Sequence, residues 1–116
     1  MTDPCVFCDI IAGKFNTKFL YEDEHVVAFS DLHAVAPTHV LVVPRAHFAD
    51  LPAAAAASDE SDLLGRLMNV AAKMGESAVK EGGYRVVVNS GPQSGQTVFH
   101  LHLHVLAGRH FAWPPG

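Results

Sequence analysis

Apolar and polar positions recur along this chain with two different periods, and the switches between them mark its elements. Phe7 to Ala12 reads as a short helix with Gly13 as its stop. Phe19–Tyr21 and His25–Phe29 read as strands joined by the acidic turn Glu22-Asp23-Glu24, and Asp31–Thr38 as a connection closed by Pro37. His39-Val-Leu-Val-Val is a nearly continuous apolar run that Pro44 ends before it can become a helix. Pro52 and the alanines to Ala57 form a low-complexity bridge, helical or mobile. A long helix follows, with Ser58 or Asp59 as its cap. Its stripe is Leu63, Leu64, Leu67, Met68, Ala71, Met74, Ala78 and Val79, at three- and four-residue steps, and Gly82-Gly83 stops it. Tyr84–Asn89 is the next strand and Phe99–Leu106 the last. Hairpin order, one crossover helix and no βαβ alternation predict an α+β domain with a mostly antiparallel sheet.

The last strand carries the candidate chemistry. In Phe99-His-Leu-His-Leu-His-Val-Leu the period is two, so His100, His102 and His104 share one face. Phe99, Leu101, Leu103 and Val105 take the other, where the amphipathic helix can cover them. Same-face neighbours on a strand lie about 7 Å apart, near enough for several to surround one phosphate or metal. Imidazole titrates near neutrality and can serve as nucleophile, acid or base. Upstream, Asn89-Ser-Gly-Pro-Gln-Ser-Gly-Gln-Thr97 offers glycines, amides and hydroxyls suited to an anion.

Composition narrows the field. The 116 residues, 49% hydrophobic, suit one domain over residues 1–116 with one ordinary core. A net charge of −4 argues against a duplex nucleic-acid binder. No apolar run is long enough to cross a bilayer, and Met1-Thr-Asp-Pro-Cys lacks the pattern of a secretory signal, so the expected compartment is the cytoplasm. The two cysteines, Cys5 and Cys8, form a Cys-x-x-Cys that reads as metal ligation or redox chemistry, and its terminal position favours metal.

His100-Leu-His-Leu-His-Val-Leu-Ala resembles the signature of the histidine-triad (HIT) superfamily. The tail Gly108-Arg-His-Phe-Ala-Trp-Pro-Pro-Gly116 is similar to that of its histidine-triad nucleotide-binding protein branch. So are Ala36–Pro44, Gly83–Gly91 and Gly95–His100. The resemblance runs from Phe7 to the last residue. It implies a HIT-like α+β fold: a five-stranded sheet, one long helix, a short N-terminal helix, and sheets joined across a homodimer. It further implies a hydrolase acting at the α-phosphate of purine nucleoside phosphoramidates, such as AMP or GMP conjugates, with acyl-nucleotides as further substrates.

By that resemblance His102 attacks phosphorus and forms a nucleotidyl-phosphohistidine. His104 bonds the phosphate and helps to protonate the leaving group, with His100 and His39 in support. Asn89, Gly95, Gln96 and Thr97 hold phosphate or leaving group. Asp31 accepts from the ribose hydroxyls, beside Ser30. Phe7, Ile10, Phe29, Leu32 and Leu41 line the base pocket. Cys5, Cys8, His47 and His100 hold a structural zinc, a closed set of two thiolates and two imidazoles. His25, His33 and His110 match no role and are expected at the surface. Thr97 in place of serine, Ala107 in place of glycine and the residue at Ser30 are departures that bear on substrate preference. Three other readings stay open: a metallohydrolase using His100, His102 and His104, a nucleotide-binding regulatory module with little turnover, and a dinucleoside polyphosphate hydrolase.

Overall fold

A computed structural model describes residues 4–57, 62–79 and 81–116. Among them are α1 (Val6–Ile11), β1 (Tyr21–Glu22), β2 (Val26–Ser30), β3 (Thr38–Pro44), α2 (Leu51–Ala56), α3 (Leu63–Ala78), β4 (Tyr84–Val88) and β5 (Leu103–Ala107). The five strands form one antiparallel sheet in the order β1-β2-β3-β5-β4, the predicted α+β arrangement. β5 sits between β3 and β4, which run parallel to each other and are linked by the α2–α3 crossover. The open bridge at Pro52 is helical: Asp50 caps α2 by accepting the Ala53 N–H at 3.1 Å, and Pro52 lies in the first turn, where no N–H is needed. The Ser58 or Asp59 cap falls outside the described residues.

The sheet is covered on both faces, which is why β2 and β3 are near-continuous apolar runs rather than alternating ones. One face packs α3 against Val26, Ala28, Val40, Val42, Leu101, Leu103 and Val105. On the other, Phe7 of α1 packs with Val27, Phe29, Leu41 and Val43. α3 buries Leu63, Leu67, Val70, Ala71 and Gly75, and it ends at Ala78 with Val79 already extended, ahead of the stop expected at Gly82-Gly83. Met68 and Ala78, expected on that stripe, are exposed, because the sheet presses on a narrower arc than the full apolar pattern spans. Ala71 and Gly75 are buried within the chain, and a Cβ at Gly75 would meet the Tyr84 ring.

The histidine strand is shorter than its alternation suggests. Its ladder begins at Leu103, opposite Val42 and Val88, so only His104 of the three histidines is in the paired strand. Upstream of that point the Leu101 N–H goes to the Phe48 carbonyl at 2.7 Å instead of to a neighbouring strand. The alternation of sides survives: Leu101 is in the helix-side core, while Phe7 on the opposite side touches His100 and His102. Phe99 is 46% exposed and does not join the helix-side core, since the chain has already bent away there.

Candidate active site and metal centre

Cys5 and Cys8 occupy the cap and first turn of α1, three residues apart and therefore on one side. The Cys8 N–H donates to Cys5 Sγ at 3.2 Å. His47, just beyond β3, and His100, leading into β5, complete a cluster whose four ligand atoms lie within 4.8 Å of one another. His100 Nδ1 is 3.4 Å from Cys5 Sγ, 3.5 Å from Cys8 Sγ and 3.2 Å from His47 Nδ1, and Cys8 Sγ is 3.4 Å from His47 Nδ1. A tetrahedral zinc with Zn–S of about 2.3 Å and Zn–N of about 2.0–2.1 Å separates its ligand atoms by roughly 3.3–3.8 Å, so the donors are already near their bound spacing. The Pro44 carbonyl, 2.8 Å from His100 Nε2, can only accept; the ring proton is therefore on Nε2 and the Nδ1 lone pair faces the sulfurs. Burial, then the neighbouring Cys5 thiol, push the Cys8 thiol up to about 11, a cost that a bound dication reverses. These residues form a closed structural zinc site.

The other two triad histidines face a different space. His102 donates Nδ1–H to the His100 carbonyl at 2.8 Å, which leaves a lone pair on Nε2. Its ring is wedged edge-on against Phe7 at 4.9 Å. His104 Nδ1 is 2.9 Å from His39 Nε2, and His39 Nδ1 accepts the Val35 N–H at 3.1 Å. A backbone amide can only donate, so neutral His39 carries its proton on Nε2, gives that hydrogen bond to His104 Nδ1, and leaves His104 with its proton on Nε2. Backbone groups thus set both tautomers: His102 offers a lone pair and His104 an N–H, on rings 4.9 Å apart. Burial lowers the pKa of His39, His100, His102 and His104, reinforced at His104 by its two histidine neighbours, which bring it to about 4. The resting imidazoles are neutral.

A cavity of about 440 Å³ opens beside these rings, within the range of small-ligand sites. Phe7, Ile10, Phe29, Ser30, Asp31, Leu32, Leu41, Thr97, His102 and His104 all line it. Leu32, 94% exposed, is at its rim rather than in its wall. A second cavity of about 330 Å³ is bordered by Asp31, His39, Asn89 and His104, so Asp31 and His104 stand between the two. Asp31 accepts the His33 N–H at 2.8 Å through Oδ1 and places Oδ2 3.4 Å from His39 Nε2.

Gly95 and Gln96 border neither cavity. The buried Gln96 amide is spent on its own loop, accepting the Gly91 N–H at 2.8 Å and donating to the carbonyls of Ala49 at 2.7 Å and Val98 at 3.0 Å. Gly95, at φ +98, serves the turn that follows Pro92–Ser94. Both brace the loop. The sequence reading missed His33, which borders both cavities, and Val6, Thr17 and Val98, which line the larger one. Only proximity to Asp31 hinted at His33.

Two alternative metal arrangements fail on the same chemistry. His100 is committed to the cysteines, so the three triad histidines do not converge on one ion. Asp31, His39 and His104 do cluster, but the Val35 amide holds the proton of His39 on the nitrogen that would have to bind.

Comparison with known proteins agrees with this geometry. A HIT domain family model matches residues 12–111. A 14 kDa zinc-binding protein of Zea mays is 41% identical over 113 residues, covering 97% of this chain and 88% of that one. A HIT family hydrolase from Legionella pneumophila superposes with a TM-score of 0.89 at 38% identity, covering 97% and 100% of the two chains. A zinc-bound histidine triad family protein from Mycobacterium smegmatis gives 0.80 at 31% identity, covering 90% and 75%.

Proposed function

This chain belongs to the HIT domain family, and on that premise we propose that it is a hydrolase that cleaves purine nucleoside phosphoramidates at the α-phosphate through a nucleotidyl-phosphohistidine on His102. The observation that carries the proposal is the pairing of a His102 lone pair with a His104 N–H at one cavity. The base enters between Phe7, Ile10, Phe29, Leu32 and Leu41, Asp31 accepts from the ribose, and Thr97 and Asn89 border the phosphate. A bound phosphate anion adds negative charge beside these neutral imidazoles and favours a proton, drawn from solvent, on the leaving nitrogen. His102 Nε2 then attacks phosphorus; the P–N bond breaks and the protonated nitrogen leaves as the neutral amine, while the His104 Nε2–H bonds the phosphate beside the departing group. The positive charge gained by the His102 ring is met by the His100 carbonyl. Water next attacks phosphorus, the P–Nε2 bond breaks to restore neutral His102, and the water proton leaves to solvent.

His100 holds zinc and acts only by its backbone carbonyl. Acyl-nucleotides offer the same α-phosphate and a good leaving group, and are expected as further substrates. The reading extends to a homodimer, supported by the exposed edge of β4, where Val88 is 40% exposed, and to the cytoplasm, which keeps the cysteine pair reduced. Among the described residues no helix is long and apolar enough to cross a membrane.

The test is a base quench of protein mixed with radiolabelled adenosine 5′-phosphoramidate. Label should sit on His102 in the wild type and vanish in His102→Ala together with turnover. An alanine variant within tenfold of wild-type activity refutes the nucleophile. Light scattering that gives a monomer mass at micromolar concentration refutes the dimer.

A further inference from the structure

The C-terminal segment reaches the catalytic rings through one loop. Arg109 Nε donates to the Val35 carbonyl at 3.2 Å, and Val35 is the residue whose N–H holds His39 Nδ1. The guanidinium itself is anchored: Nη1 donates to the His110 carbonyl at 3.0 Å, and the group stacks over Phe111 at 4.2 Å. Arg85 of β4 holds the same stretch, lying 5.4 Å from the Phe111 ring centre and donating to the Ala112 carbonyl at 2.9 Å. A second contact joins tail and loop independently. Gly108 has φ +97, and a Cβ built on it would lie 2.8 Å from Cβ of Pro37. Tail and loop therefore touch on either side of Ala36, next to the residue whose amide sets the His39 tautomer.

The described hydrogen bonds of Val35 go to His39 and Arg109 alone. The tail lines neither cavity.

We propose that Arg109 is a positioning residue: by holding the Val35 carbonyl, across one Cα from the amide that donates to His39, it keeps His39, and through it His104, in the tautomer and orientation that present an N–H to the phosphate and its leaving group. This rests on the catalytic reading above, because it assigns that N–H a role in expelling the amine. Loss of the clamp frees His39 Nδ1 from its backbone donor, and His104 then meets a partner of undefined tautomer and tilt. The nucleotide contacts remain, so kcat should fall while KM holds.

The experiment compares zinc-loaded wild type, Arg109→Ala and Gly108→Ala by two readouts. Long-range 1H–15N spectra of the histidine rings need no substrate. Wild type should show a hydrogen-bonded, unprotonated Nδ1 and a protonated Nε2 at His39, and both variants should lose that pattern. Steady-state kinetics on adenosine 5′-phosphoramidate should show kcat reduced about fivefold or more, the effect of one lost hydrogen bond, with KM within twofold. Thermal melts confirm folding; if Gly108→Ala does not fold, Arg109→Ala, an exposed side chain, decides alone. A wild-type His39 pattern in Arg109→Ala overturns the proposal, whatever the kinetics. So does an altered pattern with unchanged kcat, or a rise in KM that accounts for the whole loss. A wild type that fails to turn over the phosphoramidate refutes the catalytic reading instead, and with it this proposal.

Discussion

Acid should destabilise this protein through a histidine that folding keeps neutral, and His104 gives the clearest measure of it. Burial, with His102 and His39 beside it, brings its pKa from 6.5 to about 4. The folded value lies below the unfolded one, so between pH 6.5 and 4 the unfolded chain binds a proton that the folded chain refuses. The stabilisation is complete above pH 6.5 and is lost as pH falls towards 4. At 1.36 kcal/mol per pH unit, that descent is worth about 3 kcal/mol, an upper figure because the ring borders an open cavity. Urea unfolding of wild type and His104→Gln from pH 7.5 to 4.5 isolates the effect, since zinc release and the other histidines act on both proteins. At pH 7.5, where the proton penalty is absent, the variant should be weaker by about 1 kcal/mol for the lost bond to His39. As pH falls through the window, the wild type should lose up to about 3 kcal/mol more than the variant. Parallel stability curves would refute a neutral, buried His104.

Three further outcomes follow from particular contacts. Cys8→Ser should lose its zinc by metal analysis and melt about 10 °C lower or more, while turnover per folded molecule changes little; zinc retained at full occupancy would remove the site. Within α3, Gly65→Ala should stabilise by about 0.5–1 kcal/mol in urea unfolding, because a Cβ there meets nothing. Gly75→Ala should destabilise by about 1–3 kcal/mol, because its Cβ would stand 2.5 Å from Cζ of Tyr84; equal signs for the two would refute the packing. His102→Ala should still bind AMP in calorimetry with an affinity within about tenfold of wild type, since the base and ribose contacts lie elsewhere in the cavity; lost binding with the fold intact would show that the ring holds the ligand rather than attacking it.

Local pattern alone carried a good deal of this. The period of two in His100–His104, the three- and four-residue spacing from Leu63 to Met74, and the stop at Pro44 determined strands, helix and the side on which the imidazoles lie. These are properties of neighbouring residues and need no partner to be read. The motifs also brought Cys5, Cys8, His47 and His100 together by resemblance, although up to 95 residues separate them. What the tertiary structure decided was everything that depends on which distant group comes opposite. The β5 ladder starts at Leu103 because Leu101 finds Phe48 rather than a strand, and Met68 and Ala78 are exposed because the sheet covers only part of an apolar stripe. Gln96 became a brace because Ala49 and Val98 claim its amide. Above all, the proton positions on His39, His100, His102 and His104 were set by Val35, Pro44 and the His100 carbonyl. A sequence motif names the imidazoles, but a tautomer is chosen by the hydrogen-bond partner on the other nitrogen, and here that choice begins with backbone N–H and C=O groups, which carry no side-chain signature.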